Sequence, residues 1–509
     1  MMMSVKLLKV AFFALPFLSA ALLTWFTLSS LIFIWLNYAI WLTTVTGFLV
    51  FLQYFVVYLR SFRYSPRFIG GPTSLRIAVF VTSFNEDPKI IKETLLSAKA
   101  ALKGRGDVYL LDDSTNQMIV EELKKFCEEH GIIYVHRKER RGFKAGAINN
   151  ALKLFGDKYD LFVIFDADQK PRLDFLDQVL PYFEDPQVAF VQVPQRYTEL
   201  RSPIAYGAKF QQEPFLRRIM RGRSWISAFS LGSGTVFRVK AVKEAGYFDE
   251  NSITEDAEIS VRIHSKGWKS VYHDEELIWY GEPPQDAAAY IQQQNRWAFG
   301  YFKLTPKIIR SDLSFAAFFD YIAGFLYWLK EGPLTFFEIL APIVFLLLKQ
   351  PFIRMDPYLY ALAYFPYMFI SLTVFVLSMR GFEYGFKGFL AHQANEYLAF
   401  TGITAAFISF LLGRRIPFKV TPKGKSMRNL RVLVIHLVLL VLLLLSIVSG
   451  LYWYYTSSNP SEVGAIIINL FWAFWHLFFL SLAIYNGAKT PGEEKPTVFF
   501  EKLDYRVNR

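Results

Sequence analysis

A single cysteine, Cys127, stands in 509 residues. An internal disulfide framework, cysteine-rich zinc sites and Cys-ligated iron–sulfur clusters are thereby excluded, and any metal must be held by oxygen or by histidine. Histidine is sparse too. The seven (His130, His136, His264, His273, His392, His436 and His476) share no metal-type spacing and read as structural or surface groups. Charge is the third shortage: Asp, Glu, Lys and Arg make up 20% of the chain against 53% apolar residues. That balance argues against a wholly soluble chain and for membrane embedding. The net charge is +12, but with so few charges it has to be located before it is assigned to a partner, and nucleic acid is not the partner it implies. No repeat of fixed period and no low-complexity tract occurs.

What the chain does have is apolar length. From Val10 to Leu59 there is no Lys, Arg, Asp or Glu, and a bilayer crossing takes about 20 apolar residues, so this stretch fits two helices and a short turn. Lys6 and Lys9 precede the pair and Arg60, Arg63 and Arg67 follow it. The positive-inside bias then puts both ends in the cytoplasm. A signal peptide is the competing reading of the first segment, but no small-residue cleavage site followed by a soluble start accompanies it. Further apolar segments run from Gly332 to Leu348, Pro357 to Met379, Val432 to Tyr454 and Val463 to Asn486. The expected organisation is two transmembrane helices in 1–66, a cytoplasmic α/β domain in 67–304, interfacial helices in 305–331 and two transmembrane helices in 332–379. An interfacial segment and basic loop in 380–431, two more transmembrane helices in 432–488 and a cytoplasmic tail in 489–509 complete it. The basic loop (Arg414, Arg415, Lys419, Lys423, Lys425, Arg428, Arg431) again marks a cytoplasmic face, which makes this a multi-pass plasma-membrane protein with both termini inside and reads the +12 as orientation signal and lipid-headgroup contact. Glu331 and Glu338 border or enter the third span, where they either line a channel or sit buried or at a helix end. The run Arg217, Arg218, Arg221, Arg223 reads as a solvated or membrane-apposed helix face.

Between the second and third spans, β-rich runs such as RIAVFVT, DVYLLDD and LFVIFDAD alternate with helical stretches, the pattern of a mostly parallel sheet. Asp112 and Asp113 end one such strand, where open parallel sheets bind ligands, although Asp-Asp-Ser-Thr is equally good capping chemistry. Asp166 and Asp168 end another. The two-residue period of extended backbone sends both to one side, where two hard oxygen ligands can hold Mg²⁺ or Mn²⁺ against a diphosphate, but Asp-x-Asp alone is a weak signal. Thr254-Glu255-Asp256 opens an amphipathic run, and its acids could simply be a favourable first helical turn. In Gln293-Gln294-Asn295-Arg296-Trp297, i, i+3 and i+4 spacing puts Gln293, Arg296 and Trp297 on one helix face.

Order and spacing say more than any one motif. DD, then DAD, then TED, then QQNRW, followed directly by membrane helices, resembles the processive membrane glycosyltransferases of family 2, the group of cellulose, hyaluronan and chitin synthases. TSFNE (Thr82 to Glu86), FKAGAIN (Phe143 to Asn149) and FSLGSGTVFR (Phe229 to Arg238) match further segments of that family, and FKVTPK (Phe418 to Lys423) resembles the gating-loop motif of cellulose synthases. The resemblance implies a cytoplasmic GT-A (Rossmann-like) α/β glycosyltransferase domain inserted between transmembrane α-helices. It implies Asp112 and Asp113 at the uridine end, Thr82, Phe84 and Glu86 beside the base, Lys144 near the nucleotide, and Asp166 and Asp168 at the diphosphate and its Mg²⁺ or Mn²⁺. Asp256 would be the general base with Glu255 beside it; Gln293, Arg296 and Trp297 would shape the acceptor terminus and diphosphate site; Phe418, Val420, Thr421 and Lys423 would belong to the gating loop. The expected partners are a UDP-sugar donor, UDP-glucose favoured, a growing glycan or lipid acceptor, and membrane lipids; an accessory protein for export is left open. The rival readings are single transfer to a diacylglycerol or polyprenyl phosphate, and a non-catalytic role in a membrane assembly. There are departures: AFG follows QQNRW where many synthases have ARG, FSLGSG lacks the usual Cys, and the tail is too short for a cyclic-di-GMP-binding domain.

Overall fold

Alternation along Ile77–Ser83 sets up the central sheet. In the computed structural model, which describes residues 18–19, 21–22, 24–25, 34–64, 74–137, 139–279, 282–350, 356–414 and 429–489, this segment is the first strand, β1. Ile77, Val79 and Val81 pack on one face with Leu110 and Val163, while Ala78 and Phe80 pack on the other with Tyr109 and Phe162. The two-residue period of extended backbone thus feeds two cores, one on each face of a buried sheet.

The later strands are β2 (Gly106–Asp112), β3 (Ile133–His136), β4 (Leu161–Asp166), β5 (Lys170–Pro171), β6 (Val188–Gln192), β7 (Thr235–Arg238), β8 (Lys269–Tyr272) and β9 (Ile278–Trp279). Seven form one sheet in the order β3-β2-β1-β4-β7-β6-β8, and β5 pairs with β9 apart from it. β1 runs parallel to both β2 and β4, whereas β7 is antiparallel to β4 and β6. The chain winds outward from β1 to β3, then returns to place β4 on the opposite side of β1. That reversal opens a crevice beyond the carboxyl ends of β1 and β4, which is where the acids of interest lie. The mixed sheet in Rossmann-like order, flanked by apolar helices, is the GT-A architecture.

Five described helices are long and apolar enough to cross a membrane: Trp35–Ser61, Phe315–Leu348, Pro357–Ser378, Leu430–Thr456 and Pro460–Ala488. The additional span expected before residue 34 falls mostly outside the described residues. Phe315–Leu348 differs from expectation, because the interfacial helix and the following span are one continuous helix. Pro333 has no N–H to give the ladder, yet the helix does not break there. It widens into a π turn over Lys330–Leu334, and the Thr335 hydroxyl donates to the Lys330 carbonyl at 2.7 Å. The helix Gly385–Leu411 packs on Ala287–Arg310 and Pro203–Pro214. The contact is close enough that a Cβ on Gly207 would lie 2.3 Å from the Asn395 Oδ1.

The arginine run is not a solvated face. Arg218 and Arg223 are buried, and Arg217 and Arg221 join Arg196 around the carboxylate of Asp274. Acids that follow β8 in the chain reach back to the run and neutralise it, a pairing the local sequence does not announce.

Candidate active site

Each strand end delivers its side chain through local geometry. β1 ends in Thr82 and Ser83; Phe84 follows, and Asn85 takes a left-handed φ of 52°, turning the chain so that Glu86 faces the crevice. Asp87 then caps the helix Pro88–Leu102 by accepting from the Lys89 amide at 2.9 Å. The Arg140 guanidinium lies over the Phe84 ring, 3.2 Å from its centroid, a cation–π contact that holds the loop after β1 against the crevice.

The two acids after β2 have different environments. Asp112 is 1% exposed, and its oxygens accept from the Ser83 hydroxyl at 2.7 Å, the Ser114 hydroxyl at 2.6 Å and the Tyr134 hydroxyl at 2.7 Å. It ties β1, β2 and β3 together and is not among the residues that line the cavity. Asp113 does line the cavity, where Arg137 grips it through both carboxylate oxygens, one N–H···O distance being 2.9 Å. The same Arg137 donates to the Arg141 and Phe143 carbonyls and so shapes the start of the helix Phe143–Phe155.

That helix carries Lys144, whose ammonium pairs with Asp166 at the end of β4. Burial pulls the Lys144 ammonium down, but the charge and hydrogen bond of Asp166 with the charges of Glu255 and Asp256 together outweigh it and the net shift is upward, which keeps the lysine charged. The second oxygen of Asp166 accepts from the Ser233 hydroxyl at 2.9 Å, and Ser233 in turn accepts from Gln169 at 2.8 Å and from Gln195 at 2.7 Å. The FSLGSG loop is therefore wired to the Asp-x-Asp carboxylate.

On the opposite wall the helix Glu255–Ser265 begins with two adjacent acids. Asp256 accepts from the Ala257 amide at 2.8 Å, and Gly232, at φ +88°, approaches so closely that a Cβ there would lie 3.0 Å from the Asp256 Oδ2. Burial raises both carboxyls. Glu255 is pushed up to about 7, first by burial and then by the charge of Asp256, with Lys144 and Arg296 opposing; Asp256 is raised by burial. The helix Ala287–Arg310 supplies Gln293, Arg296 and Trp297 on one face, all three lining the cavity. Its register is fixed by Asn295, which donates to the Gly402 carbonyl at 2.7 Å, and by Gly300, where a Cβ would strike Thr254 at 2.4 Å.

Thr82, Phe84, Glu86, Asp113, Lys144, Asp166, Asp168, Glu255, Asp256, Gln293, Arg296 and Trp297 all face one cavity of about 1,790 Å³. Phe418, Val420, Thr421 and Lys423 lie outside the described residues. Sequence reasoning missed Arg137, Arg140, Tyr197 and Ser233. Ser233 lay within a motif already singled out, whereas the two arginines stood in a basic run, HRKERR, with nothing local to separate them from a solvated loop. Among the described residues no three His, Cys, Asp or Glu side chains gather to hold a metal. Asp166 and Asp168 still suit Mg²⁺ or Mn²⁺ in the way these ions meet phosphates, with one or two carboxylates from the protein and the remaining oxygens from diphosphate and water.

The Rossmann-like crevice is lined by carboxylates, cations and an indole. Residues 73–300 match the family model "Glycosyltransferase like family 2". The chain is 25% identical over 431 residues to the UDP-forming catalytic chain of cellulose synthase 1 from Komagataeibacter xylinus, covering 81% of this chain and 56% of the relative. To a UDP-forming cellulose synthase catalytic chain of Dictyostelium discoideum it is 33% identical over 240 residues, covering 43% of this chain and 21% of that one. The chain thus spans from about a fifth to a little over half of these relatives' length. Among solved structures, a mannosyltransferase from Pyrobaculum calidifontis in complex with GDP-Man and Mn²⁺ superposes with a TM-score of 0.48 at 17% identity, over 74% of this chain and 99% of that one. At that distance the likeness implies nothing about substrate.

Proposed function

We propose that the protein is a membrane-embedded inverting glycosyltransferase that polymerises a sugar from a UDP-sugar, UDP-glucose favoured, into a β-linked polysaccharide and passes it through its own helices. One observation carries the reading: the cavity that holds Asp166, Asp256 and Trp297 continues without interruption to Tyr360, Tyr364 and Trp472 on the candidate membrane helices. A product made at the strand ends has a lined route between the helices. The relatives are named as UDP-forming, which supports a UDP-linked donor, and the basic flanks of the apolar segments support a cytoplasmic orientation of the domain.

Direct displacement at C1 needs a base for the acceptor hydroxyl, charge compensation for the departing diphosphate, and an aligned acceptor. Asp256 takes the proton; burial raises its carboxyl above the ordinary aspartate range, which makes the carboxylate a stronger base. Lys144 and Arg296 face the cavity and act on the Glu255 and Asp256 carboxyls, and they neutralise charge growing on the leaving group. Asp166 and Asp168 would hold a divalent ion, which when bound supplies Lewis-acid stabilisation of the diphosphate oxygens. Trp297 offers an apolar face to the terminal sugar. Attack from the side opposite the leaving group converts an α-linked donor into a β-linked product, with no covalent enzyme intermediate.

The test is incubation of the purified protein with UDP-glucose and other UDP-sugars in Mg²⁺ or Mn²⁺, reading UDP release and the product's linkage. A long polymer cleaved by a β-glycanase supports the proposal. An organic-extractable product bearing one sugar assigns the site to lipid glycosylation instead, and no UDP release with any donor assigns the chain to a non-catalytic role.

A further inference from the structure

The motif FKAGAIN ends in Asn149, which is 3% exposed and is not among the residues that line the cavity. Its side chain serves both backbone groups of one distant residue: Nδ2 donates to the Phe248 carbonyl at 2.9 Å, and Oδ1 accepts from the Phe248 amide at 3.0 Å. A carboxamide carries a donor and an acceptor on one carbon, which is what such a pairing takes. Nδ2 also donates to the Glu250 carboxylate at 3.0 Å. Glu250 in turn lies against the start of the helix that carries Asn149. A Cβ on Gly142, which caps that helix, would meet the Glu250 Cγ at 2.6 Å, and Arg141 approaches the Glu250 carboxylate at 3.5 Å. The segment 246–254 is thus fastened to the helix at two levels, and Lys144 stands between them. Its other contacts run to the opposite walls of the site. Arg262 of the Glu255–Ser265 helix donates to the Ala245 and Tyr247 carbonyls, and Lys307 of the Ala287–Arg310 helix bridges Asp249 at 2.7 Å and Glu258 at 2.9 Å. Tyr247 is held at a left-handed φ of 63°, a conformation that persists in such a residue only where its surroundings impose it.

We propose that Asn149 is a positioning residue for the transfer: by pinning Phe248 and Glu250 it fixes the segment 246–254, and with it the spacing between the Lys144 ammonium on the leaving-group side and the Asp256 carboxylate on the acceptor side. The inference rests on the transferase function proposed above. The segment leads directly into Glu255 and Asp256, and the charges of those two acids already act on Lys144, so the groups it spaces lie within one another's field. Asn149 stands outside the cavity and acts through the segment, so its loss disturbs the alignment of the reacting groups and leaves donor affinity alone. Misplacing reacting groups by about 1 Å can cost on the order of 10²-fold in rate.

The experiment uses the full chain in lipid nanodiscs, at a temperature well below the thermal midpoint of every variant, and the UDP-sugar from which the wild type releases UDP fastest. Asn149→Ala is expected to lower kcat roughly tenfold to a hundredfold, with KM for the donor and UDP affinity by calorimetry within about threefold of wild type. Glu250→Ala should lower kcat in the same way, and the double variant should fall no further than Asn149→Ala alone, because both act through one segment. Glu250→Gln keeps an acceptor for Asn149 and the packing on Gly142, and should recover most of what Glu250→Ala loses. If Asn149→Ala does not fold, the two Glu250 variants decide. A kcat near wild type in the alanine variants, a loss carried by KM and UDP affinity, losses that multiply in the double variant, or no recovery in Glu250→Gln overturns the proposal. Any of these beside an active wild type sinks the positioning role alone, whereas no UDP release by the wild-type chain from any donor sinks the transferase function and this role with it.

Discussion

Glu255 and Asp256 share one end of a helix, one buried wall and the field of Lys144 and Arg296. Asp256→Asn removes the base and should lower UDP release by roughly 10²–10⁴-fold, with UDP affinity, measured by calorimetry, changed only a few-fold. UDP release by the wild-type protein should rise with pH through about 7, where Glu255 ionises, and Glu255→Gln should move that limb to lower pH. Stability follows with the opposite slope. A carboxyl raised from 4.5 to about 7 on folding contributes stability that is fully present below 4.5 and lost as pH rises through 7. The Glu255→Gln protein should therefore melt above wild type at pH 8 and lose that advantage near pH 4.5. The convergence of Asp113, Asp166, Asp256 and Trp297 on one cavity was legible because each stands in a motif whose spacing is local. Asp112 was not separable from Asp113, since neighbours on extended backbone point to opposite sides and only the sheet register decides which faces the crevice. Arg137 was unreadable for a similar reason: its partner Asp113 lies 24 positions back.

Asp320 lies in the helix expected at the interface, and its partners were hidden from the sequence. A lone acid in SFAAFFDYIAGFLYWL argues for a helix on the surface of the bilayer, yet the helix is continuous with the following span and Asp320 is 0% exposed. Its carboxylate accepts from Arg60 at 2.8 Å, the Ser227 hydroxyl at 2.6 Å and Gln53 at 3.4 Å. The charge is tolerable only because partners come from the Ile34–Ser61 helix and from the catalytic domain, far away in sequence. The alternation of strands with helices, by contrast, was plain from periodicity, since the patterns that build the sheet repeat every two residues within each strand. Asp320→Ala leaves Arg60 facing a hollow where its counter-ion stood, and breaking a buried pair on one side costs about 3–5 kcal/mol. A thermal midpoint lowered by several degrees in detergent is expected. Asp320→Asn, which keeps the shape and the hydrogen-bonding oxygen, should fall between that variant and wild type.

At the scale of the whole molecule, the proposed synthesis and export would share one cavity, and that union would separate a polymerase from an enzyme that adds one sugar. Gly47 on the first described membrane helix lines the cavity, and a Cβ there would meet only the Lys330 Cε at 3.8 Å and the Tyr367 hydroxyl at 3.9 Å. Alanine fits without strain, while a larger ring must project into the passage between those two side chains. Gly47→Trp should therefore leave UDP binding at the strand ends near wild type and stop elongation once the chain reaches the obstruction. The product would shift from long polymer to short oligosaccharide, and UDP release would show a burst followed by a rate at least roughly tenfold lower. Gly47→Ala should behave as wild type. A lipid glycosyltransferase makes the contrary prediction, because an acceptor that receives one sugar at the membrane face never fills the passage, and both substitutions would leave its steady rate alone. Product length and burst amplitude in the three proteins, read by gel electrophoresis and a coupled UDP assay, decide whether the cavity carries a chain or merely adjoins the site that builds it.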